Sequence, residues 1–169
     1  MIVSTHREIS LLEDKILKNA EAAFESIKAF TESSGALSFF SAIKFTKLGK
    51  SPISGDALNL IEQINQTHSN LVVLSAAHDL LNRHPGKTFR LCLGVESGYD
   101  IQSTDGEIIA ECFAVTRIDS NDKMNRDCKR LLTSSTPYMY IYFRTYEYSE
   151  KQLENYRQKY PAIHFHRFE

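Results

Sequence analysis

Tryptophan is absent from the chain, and cysteine, proline and glycine are scarce, at 3, 4 and 7 residues among 169. Neither sign of charge prevails: 20 Lys and Arg face 21 Asp and Glu, a formal net charge of -1. That balance excludes a strongly basic nucleic-acid coat protein and an acidic, polar chain of the disordered type. Cys92, Cys112 and Cys128 are odd in number and widely spaced, with no C-x-x-C pair. A zinc ribbon and a thioredoxin-like motif are thereby excluded, and the expectation is three reduced thiols, two of them on buried strands. No apolar run approaches the ~20 residues of a membrane span. Arg7, Glu8, Glu13, Asp14 and Lys15 come too early for a signal peptide. The expected compartment is the reducing cytoplasm, with no membrane partner. A Walker loop, a dinucleotide fingerprint, a Gly-x-Ser-x-Gly elbow and helix-turn-helix or zinc-finger spacing are all missing.

What is present is an ordinary globular composition, 42% apolar and 11% aromatic, with ten Phe and eight Tyr. The length predicts one domain that buries roughly 70% of its unfolded surface. Thr5 and Glu8 form a capping box. The helical stripe behind it takes in Ile9, Leu12, Ile16, Ala20, Ala23, Phe24, Ile27 and Phe30, and ends near Ser33-Ser34-Gly35. Ala36 to Phe45 fits a short helix better than a strand. Gly49, Pro52 and Gly55 break the chain into a loop from Lys47 to Gly55. A second helix is expected from about Asp56 to Arg83, bent near Ser69-Asn70 and stopped by His84-Pro85-Gly86.

Beyond Lys87 the apolar period falls to two. Strands are predicted at Thr88 to Leu93, Tyr99 to Gln102, Glu107 to Thr116, Tyr138 to Tyr146 and Ala162 to Phe168. Residues 94–98 are expected to turn, and Asp105-Gly106 marks a hairpin. Glu107 to Thr116 is apolar on both faces, as a central strand would be. Helices capped by Ser120 and Ser149 are expected to run to about Leu132 and Tyr160. The class is α/β in the broad sense (α+β), with helices ahead of the strands.

Three features carry chemistry. Asp100 and Glu111 fall on strands joined by the tight hairpin, which can bring two carboxylates within a few ångströms. Like charges so placed need a cation between them, and oxygen-only ligands select a hard ion such as Mg²⁺. Glu111 lies between Ala110 and Cys112 in a strand otherwise devoid of charge, where a lone carboxylate is costly unless paired or metal-bound. On the second helix Glu62, Asn65, Gln66 and Ser69 share one face at i, i+3, i+4 and i+7. That stripe is a solvated face or a contact surface.

The order helix, strand, strand, strand, helix, strand, with these acids, resembles the PD-(D/E)-x-K nuclease superfamily. Its members share an αβββαβ core, an Asp on the second strand and Glu-x-Lys on the third, and hydrolyse phosphodiesters with one or two divalent metals. Asp100 resembles the motif Asp, and Glu111-Cys112-Phe113 resembles the tripeptide, with Phe113 standing where the family has Lys. Glu62 resembles the extra acid that many members place on the preceding helix. Asn121, Lys123 and Lys129 fall on the helix after the third strand, which often faces the site. The resemblance covers about residues 54–146. Residues 53–132 also resemble a group of uncharacterised bacterial proteins with the same arrangement. The expected layout is a 1–53 helical N-terminal extension packed on a restriction-endonuclease-like core at 54–169, within one domain.

The resemblance implies a Mg²⁺-dependent deoxyribonuclease of restriction or repair type. Asp100, Glu111 and the Cys112 carbonyl would hold the metal, and Lys123, or else Lys129, would replace the missing motif cation. Glu62 would bind a second metal or orient water through Gln66, and Gln66, Asn121 and Lys129 would meet DNA. Two alternatives stand beside it. One is a catalytically impaired relative that binds nucleic acid or a protein partner. The other is an interaction protein that forms a homodimer through its aromatic strand or first helix. The basic patches are modest: Arg117, Lys123, Arg126, Lys129 and Arg130 in one segment, and Lys44, Lys47 and Lys50 in another. His164 and His166 share a strand face without an evident third zinc ligand.

Overall fold

The computed structural model describes residues 1–94 and 97–169. The turn expected at 94–98 includes residues 95 and 96, which lie outside the described residues.

The first helix, α1 (His6–Ser33), begins as its sequence predicts. The Thr5 hydroxyl accepts from the Glu8 N–H while the Glu8 carboxylate accepts from the Thr5 N–H at 2.9 Å. Helix α2 (Ala36–Phe45) follows directly, and leaves Leu37, Phe40 and Phe45 exposed. The expected loop after it contains a small ladder. Strand β2 (Gly49–Lys50) pairs antiparallel with β3 (Ala57–Leu58). This ladder occupies residues expected to open the next helix, so α3 (Leu60–Arg83) starts later than predicted, capped by Asn59. It then runs as one helix through Ser69-Asn70.

Strand β1 (Ile2–Val3) was not foreseen, because two residues carry no period. It joins a six-stranded sheet whose order is β1, β4 (Phe89–Leu91), β5 (Ile101–Ser103), β6 (Ile108–Arg117), β7 (Tyr138–Glu147) and β8 (Ile163–Phe168). The first three pairings are antiparallel and the last two parallel. Helix α4 (Lys123–Leu131) connects β6 to β7, and α5 (Glu150–Lys159) connects β7 to β8. Parallel neighbours need such crossovers, which is why strands and helices alternate at this end of the chain.

Both faces of the sheet are covered. On one, Ala110, Cys112, Tyr140 and Tyr142 pack with Leu74, Ala77 and Leu80 of α3 and Ile9 and Ile16 of α1. On the other, Ile109, Phe113, Ile141 and Phe143 pack with Met124, Cys128 and Leu131 of α4 and Leu153 of α5. This two-sided burial explains why β6 and β7 read as nearly continuous apolar runs. The cysteines are free and buried. Burial pushes the Cys128 thiol up to about 12, which keeps it protonated and unreactive. His164 and His166 stack on Tyr140 and Tyr142, with ring centroids 5.1 Å apart in each pair. No helix among the described residues is long and apolar enough to cross a membrane.

Candidate active site

The β5–β6 hairpin sets the site. Gly106, at φ 77°, permits the tight turn that the Asp105-Gly106 pair promised. The ladder pairs Ile101 with Ala110 and Gln102 with Ile109. Continued by one step, that register puts Asp100 opposite Glu111. Asp100 lies just ahead of β5 rather than within it, but its carbonyl still accepts from the Cys92 N–H at 2.9 Å. Its carboxylate accepts from the Cys112 N–H at 2.7 Å, which pins it to β6 beside Glu111.

Glu111 is only 1% exposed. Burial, and then the Asp100 charge, push its carboxyl up to about 8. Burial also raises Asp100, against the pull of the Cys112 N–H. A third acid comes from α4: Asp127 is buried, and burial raises its carboxyl too. Two cations answer these three acids. Lys123 Nζ contacts Asp127 at 2.7 Å, and Arg130 Nη1 lies 3.0 Å from Glu111 Oε1. The Arg130 N–H groups are not aligned with that oxygen, so Glu111 Oε1 is buried without a hydrogen-bond donor. Arg130 also donates to the Gly98 carbonyl and lies over the Tyr99 ring, 5.1 Å from its centroid.

Lys123 reaches a position with a second meaning. Its Nζ stands 5.6 Å from the centroid of the Phe113 ring. Phe113 is itself held flat on Phe143, centroid to centroid 5.8 Å. The ammonium is thus carried from α4 to the space over the side chain at position 113.

Beside this cluster is a cleft of about 690 Å³ at the carboxyl ends of β6 and β7, where ligands usually bind in sheets with parallel strands. Phe113 and Lys123 form part of its wall, as do Asn65 and Ser69 from α3, Arg126 from α4, and Arg144 and Tyr146 from β7. The polar stripe on α3 therefore divides. Asn65 and Ser69 line the cleft, while Glu62 and Gln66 do not. Glu62 is exposed in the first turn of α3, and its N–H is bonded to the capping Asn59 side chain.

Ser120 does not cap α4 as expected. Its hydroxyl accepts from the Arg117 N–H at 3.2 Å, and Ser120–Asp122 form a 3-10 turn. Asn121 and Asp122 both take left-handed backbone, at φ 52° and 55°, in the turn that delivers Lys123. Asn121 lines the cleft. Lys129 is exposed on α4 and lies outside it.

Arg126, Asp127 and Arg130 read in the sequence only as charges of one segment and not as site residues, although they follow Lys123 at i+3, i+4 and i+7. That spacing is the available signal, since it defines one face of α4 turned to the site. Arg144 and Tyr146 had no local signal, because only the parallel pairing of β6 with β7 brings them here.

The donor set of Asp100, Glu111 and the Cys112 carbonyl is all oxygen, which suits a hard cation. The donorless Glu111 Oε1 is an acceptor that such a cation would satisfy. Among the described residues no three His, Cys, Asp or Glu side chains are arranged to hold a metal. Mg²⁺ ordinarily takes one or two carboxylates and keeps its waters, so a two-carboxylate site fits it and a closed zinc-type site is not offered. A scan of protein-family models and searches of curated proteins and of solved structures find no match to this chain.

Proposed function

We propose that this chain is a Mg²⁺-dependent hydrolase of DNA phosphodiesters, of the restriction or repair type, built on a PD-(D/E)-x-K-like core. The observation that carries this reading is Lys123 Nζ over the Phe113 ring. A cation is supplied from α4 to the place where the superfamily motif has its Lys. The element order α3, β4, β5, β6, α4, β7 supports the reading, as does the juxtaposition of Asp100 and Glu111.

Asp100 and Glu111, with the Cys112 carbonyl, would hold Mg²⁺. The ion would polarise the scissile phosphate and lower the pKa of a bound water. The protein's own groups do the rest. The Cys112 N–H fixes the Asp100 carboxylate against β6. Asp127 holds the Lys123 ammonium above Phe113, where it can stabilise charge building on the phosphate. Arg126 and Arg144 offer further cations along the cleft wall. Arg130 faces the Glu111 carboxylate from a half-exposed side chain. Glu62 lies off the cleft, so no second metal is assigned to it.

Cleavage of DNA in the presence of Mg²⁺ is expected for the wild-type protein, and loss of it in Asp100→Asn and in Glu111→Gln. Activity that persists in both variants contradicts the assignment. A second reading is favoured by Arg130, which with Lys123 already supplies positive charge to the acids. On that reading the protein binds nucleic acid without cutting it. Wild-type protein that binds DNA but leaves it intact with Mg²⁺ and with Mn²⁺ is the outcome that selects it.

A further inference from the structure

The cleft beside the acids has a composition that discriminates between forms of nucleic acid. We infer that it takes a single strand with its bases unstacked, rather than a duplex, and that Arg144 and Tyr146 are its main contacts. This rests on the reading of the site as one that receives nucleic acid, but not on hydrolysis, and it narrows the substrate of that reading from duplex to single-stranded or unpaired segments.

Four observations lead there. First, Arg144 has no ion pair or hydrogen bond among the described residues, and its Nε is buried in the cleft wall without a partner. A buried guanidinium nitrogen left in that state is costly, and an anionic oxygen is the ligand that relieves it. Second, Tyr146 is 90% exposed at the cleft, the most exposed large side chain of its kind among the described residues. Its neighbour Thr145 is tied down, its hydroxyl shared between the Thr116 and Glu147 carbonyls at 3.0 and 2.9 Å. An open ring on an anchored strand end is a stacking platform for a base, and stacking on aromatic side chains is how single strands are commonly held.

Third, the floor is recessed. Phe113, in the cleft wall, is only 3% exposed, so a phosphate must descend into the cleft to approach it. A volume of about 690 Å³ is in the range that encloses a small ligand rather than a helix of paired strands. An extended strand can thread it, and a paired base must first be turned out. Fourth, the cations at the cleft among the described residues are few, namely Lys123, Arg126 and Arg144. Duplex binding draws most of its affinity from many phosphate contacts. So small a set suits a ligand held as much by stacking as by charge.

Fluorescence anisotropy with labelled oligothymidylate, oligouridylate and a hairpin duplex tests this, with EDTA present so that cleavage plays no part. Both single strands are expected to bind at least about tenfold more tightly than the duplex. Tyr146→Ala, a surface change with no folding liability, is expected to weaken single-strand binding by about tenfold and leave duplex binding unchanged. Arg144→Gln is expected to weaken it by a similar factor at an unchanged Tm. Three phosphate contacts on a single strand give a slope of log K against log[salt] of about -2. Equal affinity for duplex and single strand, or single-strand binding indifferent to Tyr146→Ala, overturns the inference. A salt slope steeper than about -5 does so too. Binding that follows these expectations in a protein that never cleaves DNA sustains the inference and removes only the hydrolytic reading.

Discussion

Lys123→Ala is expected to lower Mg²⁺-supported cleavage of DNA by roughly 10² to 10³-fold, the usual cost of losing one preorganised group that stabilises transition-state charge. Binding of substrate should change far less, because Arg126 and Arg144 remain at the cleft. The sharper expectation concerns the double variant. Lys123 Nζ occupies the space over the Phe113 ring, so Phe113→Lys in the Lys123→Ala background returns an ammonium to nearly the same place from the strand instead of the helix. Activity is expected to recover by at least tenfold over Lys123→Ala alone, a conservative share of the loss. Phe113 packs on Phe143 in the core, so Tm is measured alongside. A folded double variant that stays as inactive as the single one shows that Lys123 acts elsewhere.

Glu111→Gln is expected to stabilise the metal-free protein at alkaline pH. Glu111 is buried against Asp100, and its carboxyl is pushed up from 4.5 to about 8. The folded state therefore holds a proton that the unfolded chain releases. Its stabilising contribution is complete below pH 4.5, declines as pH rises, and is gone above about pH 8. Glutamine remains neutral throughout and avoids that decline. At pH 9 the variant should be more stable by about 2–4 kcal/mol, or roughly 5–10 °C in Tm for a chain of this length. At pH 4 the two proteins should differ little. Thermal melts across pH check this, and parallel profiles for wild type and variant contradict it. Saturating Mg²⁺ should narrow the gap at pH 9, since a cation bound by the ionised pair stabilises the folded wild type.

These expectations trace to residues of differing legibility. Glu111 stood out in the sequence because a lone carboxylate in an apolar strand demands a partner. Thr5 and Glu8 announced α1, and Asp105-Gly106 announced the hairpin that fixes Asp100 against it. These are local signals, complete within a few residues. Strand β1 was invisible because its pairing with β4 joins segments almost ninety residues apart. The late start of α3 follows from the β2–β3 ladder, which overrides the helical reading of Ala57-Leu58. Arg130 at Glu111 was legible in principle from its spacing along α4, but five basic residues in one segment do not say which face they take until the helix is placed. Arg144 and Tyr146 belong to a strand that reads as aromatic and as a candidate dimer surface, not as part of the site. Their place at the cleft depends on where β6 and β7 end together, which no local pattern encodes.

On the proposed function, Asp100 and Glu111 together form a cation site. Calorimetric titration of the wild-type protein with Mg²⁺, repeated with Asp100→Asn and Glu111→Gln, tests it most directly. One binding event is expected that strengthens as pH rises through about 8, where Glu111 ionises, and that disappears in both variants. Heat that persists unchanged in both variants, or no binding of Mg²⁺ or Mn²⁺ by the wild type at any pH, would contradict it.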